Sequence, residues 1–263
     1  MDNENKNIQK NGETELIIGR NAVSEALRSG RVIDTLFVAK GERGGSVGRI
    51  IAECKEKGVV IKEVDKRKLD YLCAKGNHQG VAAYVAAHEY ASVDDIFELA
   101  KKRGEDPFII ICDELEDPHN LGAVIRTAEC AGAHGVIIPK RRSVSLTWAV
   151  SKAAAGALEY MPVARVTNLS ATLDELKRRG VWIYSADMDG KSWGETDFSG
   201  AVGLVVGSEG FGVSKLIRDK SDFIVSLPMK GKITSLNASV AAGILMYEVS
   251  RQRTGKGGSN GRP

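Results

Sequence analysis

Five short apolar runs in the second half of the chain constrain its fold most. They lie at 108–112, 135–138, 181–185, 203–206 and 223–227. Continuous apolar runs of this length suit strands that are buried on both faces of a parallel sheet. Helical patterns alternate with them, at 121–132, 145–157, 171–179, 213–218 and 237–250. The alternation predicts an α/β fold with a mostly parallel sheet and right-handed crossovers.

A smaller α/β unit precedes this one. Its predicted helices lie at 21–27, 46–57 and 66–74, and its predicted strands lie at 35–39, 59–64 and 81–86. The two ends of the chain are polar and lack apolar periodicity, which is typical of disordered tails. In chain order we predict a tail at 1–13, a first domain at 14–87, a linker at 88–93, a second domain at 94–254 and a tail at 255–263.

Composition excludes several classes of protein. The 263 residues are 43% hydrophobic and 27% charged, as expected of a globular protein with sizeable cores. The first residues lack the order of a signal peptide, and no apolar run approaches the ~20 residues that span a bilayer, so we expect a cytoplasmic protein without a membrane partner. Cys54, Cys73, Cys112 and Cys130 lie far apart, which predicts reduced thiols and no zinc site.

Charge alone does not identify a partner. The formal net charge of +3 is too small to indicate a nucleic-acid binder. Short basic groups occur at 140–142 and at Lys230 with Lys232, and we interpret them as solvated surface.

The loops that follow strands are the candidate site, because ligands of parallel sheets bind beyond the carboxyl ends of the strands. The loop at 113–120 leads into a helix that His119 and Asn120 are predicted to cap. Arg126 lies off the apolar stripe of that helix, among small residues that let a ligand or another backbone come close. An ordinary exposed arginine is the alternative interpretation.

A second loop, at 207–212, connects a strand to a helix through three glycines. Their order, G-x-x-G-x-G, is the reverse of the dinucleotide-binding pattern. Glu209 inside the turn would repel a pyrophosphate but would tolerate a cationic ligand. The alternative is a tight turn with a surface carboxylate.

The third loop, at 228–237, ends where the last helix begins. Ser235 and Asn237 are preferred helix caps, and Val240, Ile244 and Tyr247 recur at helical spacing. Backbone amides at such a helix start can also bind a ligand.

Taken together, the three loops resemble the motifs of the SpoU-type RNA ribose methyltransferases, the TrmH branch of the SPOUT superfamily. The motifs are N-x-G-x-x-x-R-T-A at 120–128, G-S-E-G-F-G at 207–212 and L-P-M-x-G-x-x-x-S-L-N-x-S-V-A at 227–241. The stretches IIGRNAVSEAL at 17–27 and NHQGVAA at 77–83 also resemble an RNA substrate-binding domain similar to ribosomal protein L30e. That domain occurs in bacterial enzymes that methylate a guanosine ribose of 23S rRNA.

This resemblance implies a fold and a function that spacing does not reveal. The implied second domain contains a deep trefoil knot that binds S-adenosylmethionine, without a metal, in a homodimer whose sites are completed across the subunits. The implied reaction is methylation of a ribose 2'-hydroxyl in 23S rRNA, at a guanosine. The positions implied to hold the cofactor are Gly207, Leu227 and Leu236, and those implied to be catalytic are Arg126, Asn120, Glu209, Ser235 and Asn237.

The role of Arg126 has two interpretations. A guanidinium is a poor base near neutrality. Either Arg126 becomes a base through an adjacent RNA phosphate and dimer contacts, or it stays charged and stabilises the developing alkoxide.

Other functions stay open from the sequence. A tRNA is the alternative substrate, although the additional N-terminal unit favours rRNA. A non-catalytic RNA-binding protein would have no need of the intact polar positions. An oxidoreductase that binds a dinucleotide is disfavoured by the reversed glycine order.

Overall fold

The computed structural model describes residues 8–11, 14–85 and 88–254. They divide into two compact units. The first comprises the described residues up to Glu89 together with Ser145–Ser151, and the second comprises Tyr90–Val144 and residues 152–254. The sequence predicts a continuous second domain at 94–254, whereas the structure groups Ser145–Ser151 with the first unit.

The first unit is a five-stranded sheet with helices on both faces. Its strands are β1 (Ile8–Asn11), β2 (Thr14–Ile18), β3 (Ile33–Ala39), β4 (Val60–Val64) and β5 (Val81–Val85). Its helices are α1 (Arg20–Arg28), α2 (Gly45–Glu56) and α3 (Lys66–Leu72). The strand order is β1-β2-β5-β3-β4, and only β3 and β4 pair in parallel. Successive residues of β3 point to opposite faces of the sheet and so belong to two hydrophobic cores. Leu36 packs with α1 and α2, and Phe37 packs with Leu69 of α3.

Strand β1 corrects the prediction of a disordered tail at 1–13. Ile8 lies opposite Ile17 and Asn11 lies opposite Thr14 in an antiparallel pair. Polar composition predicts disorder, but a neighbouring sheet edge can still satisfy the backbone of such a segment. The dipeptide Asn11-Gly12 is typical of hairpins and was the signal for this pair. The other residues of that predicted tail, and the predicted tail at 255–263, lie outside the described residues.

The second unit is a six-stranded sheet in which every pair is parallel. Its strands are β6 (Phe108–Cys112), β7 (Gly135–Pro139), β8 (Val163–Val166), β9 (Trp182–Ser192), β10 (Val202–Val206) and β11 (Phe223–Ser226). The order is β11-β9-β10-β6-β7-β8, so β10 and β6 lie at the centre. The predicted parallel α/β fold is therefore confirmed.

Five helices of the second unit precede, connect or follow these strands, and a sixth is divided between the two units. They are α4 (Val93–Arg103), α5 (Pro118–Cys130), α6 (Trp148–Ala154), α7 (Leu169–Arg178), α8 (Lys215–Lys220) and α9 (Ala238–Thr254), of which α6 begins in the first unit. Short 3-10 helices occupy Ala157–Glu159 and Trp193–Glu195. Helix α4 begins with a capping box between Ser92 and Asp95, so the end of the predicted linker at 88–93 belongs to this helix.

Two strands differ from the sequence prediction. Strand β8 was not predicted, because it has only four residues and includes Arg165. Strand β9 was predicted at 181–185 but continues to Ser192, since its polar second half pairs with β11 across a register shift. There the backbones approach closely: a Cβ on Gly190 would lie 2.5 Å from the carbonyl carbon of Ile224.

Cysteine and metal chemistry are limited in the described chain. Burial raises the pKa of the Cys54 and Cys73 thiols to about 11 and that of Cys112 to about 12, so these three are protonated at neutral pH. Cys130 is exposed on α5.

Within residues 8–11, 14–85 and 88–254, no group of three or more His, Cys, Asp or Glu residues could hold a metal ion. No helix in these ranges is long and apolar enough to cross a membrane.

The buried side chain of His134, just before β7, links β6 to the segment that follows α4. The Phe108 backbone N–H donates to His134 Nδ1 at 2.9 Å, and His134 Nε2 lies 3.1 Å from Glu105 Oε2. Since Nδ1 accepts, the proton of the neutral ring is on Nε2 and is donated to Glu105. Burial lowers the pKa of His134, against the opposing effect of the Glu105 carboxylate.

This histidine makes stability depend on pH. Because the folded pKa lies below the unfolded value of about 6.5, the unfolded chain binds more protons as the solution is acidified. The contribution of neutral His134 to the stability of the folded state is complete above the unfolded pKa, and it is lost as the pH falls toward the folded pKa. We predict that the free energy of unfolding, measured in urea, falls by up to about 1.4 kcal/mol per pH unit below ~6.5 through this residue. His134→Gln should reduce the slope, and an unchanged slope would contradict the prediction.

Candidate functional site

A cavity opens at the carboxyl ends of β9, β10 and β11. It has a volume of about 1020 Å³, including the part that is open to solvent. Four segments line it: 186–188 of β9, 206–212 from the last residue of β10, parts of 225–236 from β11 onward, and Ala238, Ala241 and Leu245 of α9. Its position at the strand ends is typical of a ligand site in a parallel sheet.

The glycine-rich loop forms a closed turn on one side of this cavity. Ser208 and Gly212 exchange backbone hydrogen bonds of 3.0 Å in both directions. Gly210 and Gly212 have φ angles of 89° and 66°, in the left-handed region that favours glycine. Gly207 is required for a different reason, since a Cβ there would lie 2.0 Å from the Gly212 carbonyl carbon. The glycine order therefore serves a tight turn and not a dinucleotide fingerprint.

A buried carboxylate holds the far end of the same loop. Asp113, at the end of β6, is 4% exposed. Its Oδ2 accepts from the Ser214 backbone N–H at 2.7 Å, and its own N–H donates to the Val206 carbonyl at 2.8 Å. Sequence reasoning missed this role, although an acidic residue directly after a fully buried strand was a signal for it.

Three polar side chains from distant parts of the sequence meet beside the loop. Asn120 Nδ2 donates to Glu209 Oε1 at 2.9 Å, and Asn237 Nδ2 donates to Asn120 Oδ1 at 2.9 Å. Asn237 Nδ2 also donates to Glu209 Oε1. We call these three residues the amide–carboxylate cluster. Asn120 is 4% exposed, so the cluster is anchored in the core of the unit.

Asn237 is also the cap of α9. Its Oδ1 accepts from the backbone N–H groups of Ser239 at 3.0 Å and Val240 at 3.3 Å. With Oδ1 facing donors and Nδ2 facing acceptors, the hydrogen bonds fix the orientation of the amide. Helix capping and participation in the site are thus two functions of one side chain.

The other predicted site residues fall into two groups. Gly207, Leu227, Leu236 and Ser235 line the cavity, as does Glu209. Arg126 does not line it. This residue is exposed on α5, and its side chain makes no hydrogen bond or ion pair with any other described residue. It follows Asn120 by six residues, so it lies about 9 Å further along the helix axis and on another face.

The start of α5 differs from the prediction that His119 and Asn120 cap it. Asp117 is the cap, and its side chain accepts from the His119 N–H at 3.0 Å. Pro118 occupies the first helical position, where its missing N–H costs nothing. Asn120 is therefore inside the first turn, and its side chain is available to the cluster.

The cavity has more acidic character than the predicted residues suggest. Asp187 lines it from the extended part of β9 and pairs with Arg218 at 3.2 Å. Glu209 also lines it, and its hydrogen-bond partners are neutral amides. A cavity with an uncompensated carboxylate suits a ligand that carries positive charge.

One face of α9 exposes apolar side chains. Val240 and Tyr247 are 49% and 55% exposed. The residues that α9 buries are Ala238, Ala242, Leu245, Met246, Glu248 and Val249. Helix α5 packs alongside, with Thr127 Cγ2 3.6 Å from the position of a Cβ on Gly243. Two adjacent helices thus expose Val240, Tyr247 and Arg126.

Two family models match the chain. The model of the SpoU rRNA Methylase family matches residues 107–247. The model described as RNA 2'-O ribose methyltransferase substrate binding matches residues 16–91.

Relatives match over nearly the whole chain. YacO of Bacillus subtilis (strain 168), whose name places it in the TrmH family of tRNA/rRNA methyltransferases, is 50% identical over 238 residues, which are 90% of this chain and 95% of the relative. A relative in Staphylococcus epidermidis, with the same family name, is 46% identical over 239 residues, or 90% of this chain and 96% of the relative.

Solved structures are similar too. The SpoU methyltransferase AviRb from Streptomyces viridochromogenes, in complex with AdoMet, gives a TM-score of 0.58 at 25% identity and covers 90% of this chain and 89% of its own. The A. aeolicus TrmH/SpoU tRNA modifying enzyme gives 0.51 at 29% identity and covers 57% of this chain and 77% of its own.

The packing around Gly207 gives a prediction about stability. The atoms that a Cβ would meet are backbone atoms of Gly212 and Val213, which cannot move aside without opening the turn. We expect Gly207→Ala to lower the free energy of unfolding by about 1–3 kcal/mol. Gly194→Ala is the matched control, since nothing lies within 4 Å of its Cβ position, and should change it by less than about 0.5 kcal/mol. Equal effects in urea unfolding would contradict this account of the loop.

Proposed function

The chain belongs to the SpoU rRNA methylase family, and we propose that this RNA methyltransferase transfers a methyl group from S-adenosylmethionine to the ribose 2'-hydroxyl of a guanosine in 23S rRNA. The observation that carries the proposal is the amide–carboxylate cluster. It places Asn120, Glu209 and Asn237, which come from three separate motifs, beside one glycine-lined cavity.

The cavity fits S-adenosylmethionine. Gly207 lines the cavity, and Leu227 and Leu236 supply apolar wall. Glu209 offers negative charge to a sulfonium, for which its neutral amide partners do not compensate. When bound, S-adenosylmethionine supplies a methyl group that is already activated for transfer. AviRb, which is similar over most of its length, was solved with AdoMet.

The residues of the chain then have to position the ribose. Both amides of the cluster donate to one oxygen of Glu209, Oε1, which fixes the direction of the carboxylate. Ser235 lines the same cavity from the opposite loop, where its hydroxyl can contact the ribose. With both substrates bound, the 2'-oxygen would form a bond to the methyl carbon as the bond from that carbon to the sulfonium sulfur breaks, which would leave a neutral thioether. The hydroxyl proton would pass to solvent at the open side of the cavity.

Arg126 enters this account through a second subunit. It lies away from the cavity of its own chain, on the exposed face of α5 beside the apolar face of α9. We infer a homodimer through these faces, in which the partner's Arg126 completes the site. The role that we propose for it is to stabilise, as a cation, the alkoxide that develops on the ribose.

The first unit supports an rRNA substrate. The substrate-binding model matches it at 16–91. The tRNA modifying enzyme of A. aeolicus covers only 57% of this chain. A tRNA is the second candidate, because the relatives carry the name tRNA/rRNA methyltransferase.

The domain assignment belongs to the same proposal. Residues 14–87 would bind the RNA, and residues 94–254 would form the SPOUT domain with the knot that the family resemblance implies. A cytoplasmic location is likewise proposed, in agreement with the four free cysteines.

Mapping of ribose methylation in a strain without the protein tests the substrate. We expect one guanosine of 23S rRNA to lose its 2'-O-methyl group and to regain it when the wild-type chain is restored. Loss of a tRNA methyl group alone would show that the tRNA alternative is correct.

Asn237→Asp separates the two functions of that residue. The aspartate keeps an oxygen to cap α9 but removes both Nδ2 donors and adds a charge beside Glu209. We expect the variant to fold and to lose kcat/KM by on the order of 100-fold. Asn168→Asp, at the cap of α7, is the matched control, and equal loss of activity in both variants would contradict the role of the cluster.

A heterodimer tests whether the site is shared. One subunit carries Arg126→Ala and the other carries Glu209→Ala, each with its own purification tag. If Arg126 acts on the partner's cavity, one of the two sites is intact, and the heterodimer should have about half the wild-type rate while both homodimers are inactive. No recovery of activity would show that Arg126 acts on the cavity of its own chain or not at all.

A further inference from the structure

Phe211 is the most exposed of the large hydrophobic side chains of the described residues. Its exposed fraction is 94%, and it lines the cavity from the tip of the glycine-rich loop. Single exposed apolar residues are ordinary on protein surfaces. What distinguishes Phe211 is its location between Gly210 and Gly212, only two residues from Glu209.

The loop presents this ring rigidly. The paired backbone hydrogen bonds of Ser208 and Gly212 close the turn, and Asp113 holds the next residue but one, Ser214. Glu209 is held toward Asn120 and Asn237, whereas Phe211 is left in solvent. The two side chains at the tip of one turn therefore have separate environments.

The opposite loop supplies positive charge. Lys230 and Lys232 are exposed and have no hydrogen-bond or ion-pair partner in the described part of the chain. They flank Gly231 in the segment whose neighbours Met229 and Leu236 line the same cavity. An exposed aromatic ring with unpaired cations nearby is the combination that binds single-stranded nucleic acid, through base stacking and phosphate contacts.

We propose that Phe211 stacks on the base of the nucleotide whose ribose is methylated, and that Lys230 and Lys232 contact the adjoining phosphates. This inference rests on the proposed function and adds to it a class of substrate. A base that stacks on a protein ring must be free of its own helix, so the target is an unpaired nucleotide in a loop or a bulge.

Two other contacts of the Phe211 ring would give different measurements. If Phe211 covered bound S-adenosylmethionine, its removal would weaken binding of that ligand. If it packed against a second subunit, its removal would change the oligomeric state. Stacking on a base predicts neither effect.

The test uses the full chain, with total RNA from a strain lacking the protein and labelled S-adenosylmethionine. We expect Phe211→Ala to raise KM for RNA by on the order of 10-fold with little change in kcat, because stacking contributes to binding before and during the reaction. Phe211→Trp should retain a KM near that of the wild type. Leu216→Ala, at a residue of α8 that is 60% exposed and outside the cavity wall, is the control and should have no effect.

The lysines are tested by salt dependence. For RNA binding by the Lys230→Gln, Lys232→Gln double variant, we expect the slope of log K against log salt to decrease by about 1.4, which corresponds to two lost phosphate contacts. The Lys101→Gln, Lys102→Gln variant removes the same charge from α4 and should keep the wild-type slope.

Several results would overturn the inference. They are an unchanged KM in Phe211→Ala, a weaker calorimetric affinity of that variant for S-adenosylmethionine, or a shift in its oligomeric state. Absence of methylation by the wild-type protein on any RNA would instead refute the proposed function, so the two failures are distinguishable.

Discussion

The amide of Asn237 is the interaction on which the site depends. Its oxygen begins α9, and its nitrogen binds the carboxylate of Glu209 and the amide of Asn120. A helix start is fixed by the fold, so every group bonded to this amide acquires a fixed position as well. The site thereby obtains rigidity from the same hydrogen bonds that stabilise the last helix.

The parallel sheet brings these groups together. Strands β6 and β10 are central neighbours, and each ends in a segment that contributes to the cluster or to the loop that carries it. Asp113 ties the two ends together by bonding the backbone at both Val206 and Ser214. Gly207 approaches the backbone of Gly212 within the loop that carries Glu209 and Phe211.

The sequence was sufficient for most of the sheet because the central strands are continuously apolar, as in Phe108–Cys112. It was insufficient for strands that are held by backbone hydrogen bonds and not by burial of apolar side chains. Strand β1 and the second half of β9 are polar and are held by backbone bonds to a neighbouring strand. The dipeptide Asn11-Gly12 indicates the first pair, but no local pattern indicates the second. The extension of β9 mattered for the site, since it brings Asp187 to the cavity.

Within the site, spacing indicated the three loops, but it could not show that Asn120 and Asn237 share one oxygen of Glu209. Nor could it show that Arg126 lies apart from them, because a helical wheel gives direction around one helix and not the position of a distant loop. Helical spacing also does not tell which side of α9 is buried: Val240 and Tyr247 are exposed, whereas Ala242 and Leu245 are buried.

The position of the transferred methyl group tests the central claim most directly. RNA from a strain lacking the protein is incubated with the purified chain and methyl-labelled S-adenosylmethionine and is then digested to nucleosides. The account predicts that the label is recovered in 2'-O-methylguanosine from 23S rRNA. Label on a base, or no label on any RNA, would contradict it.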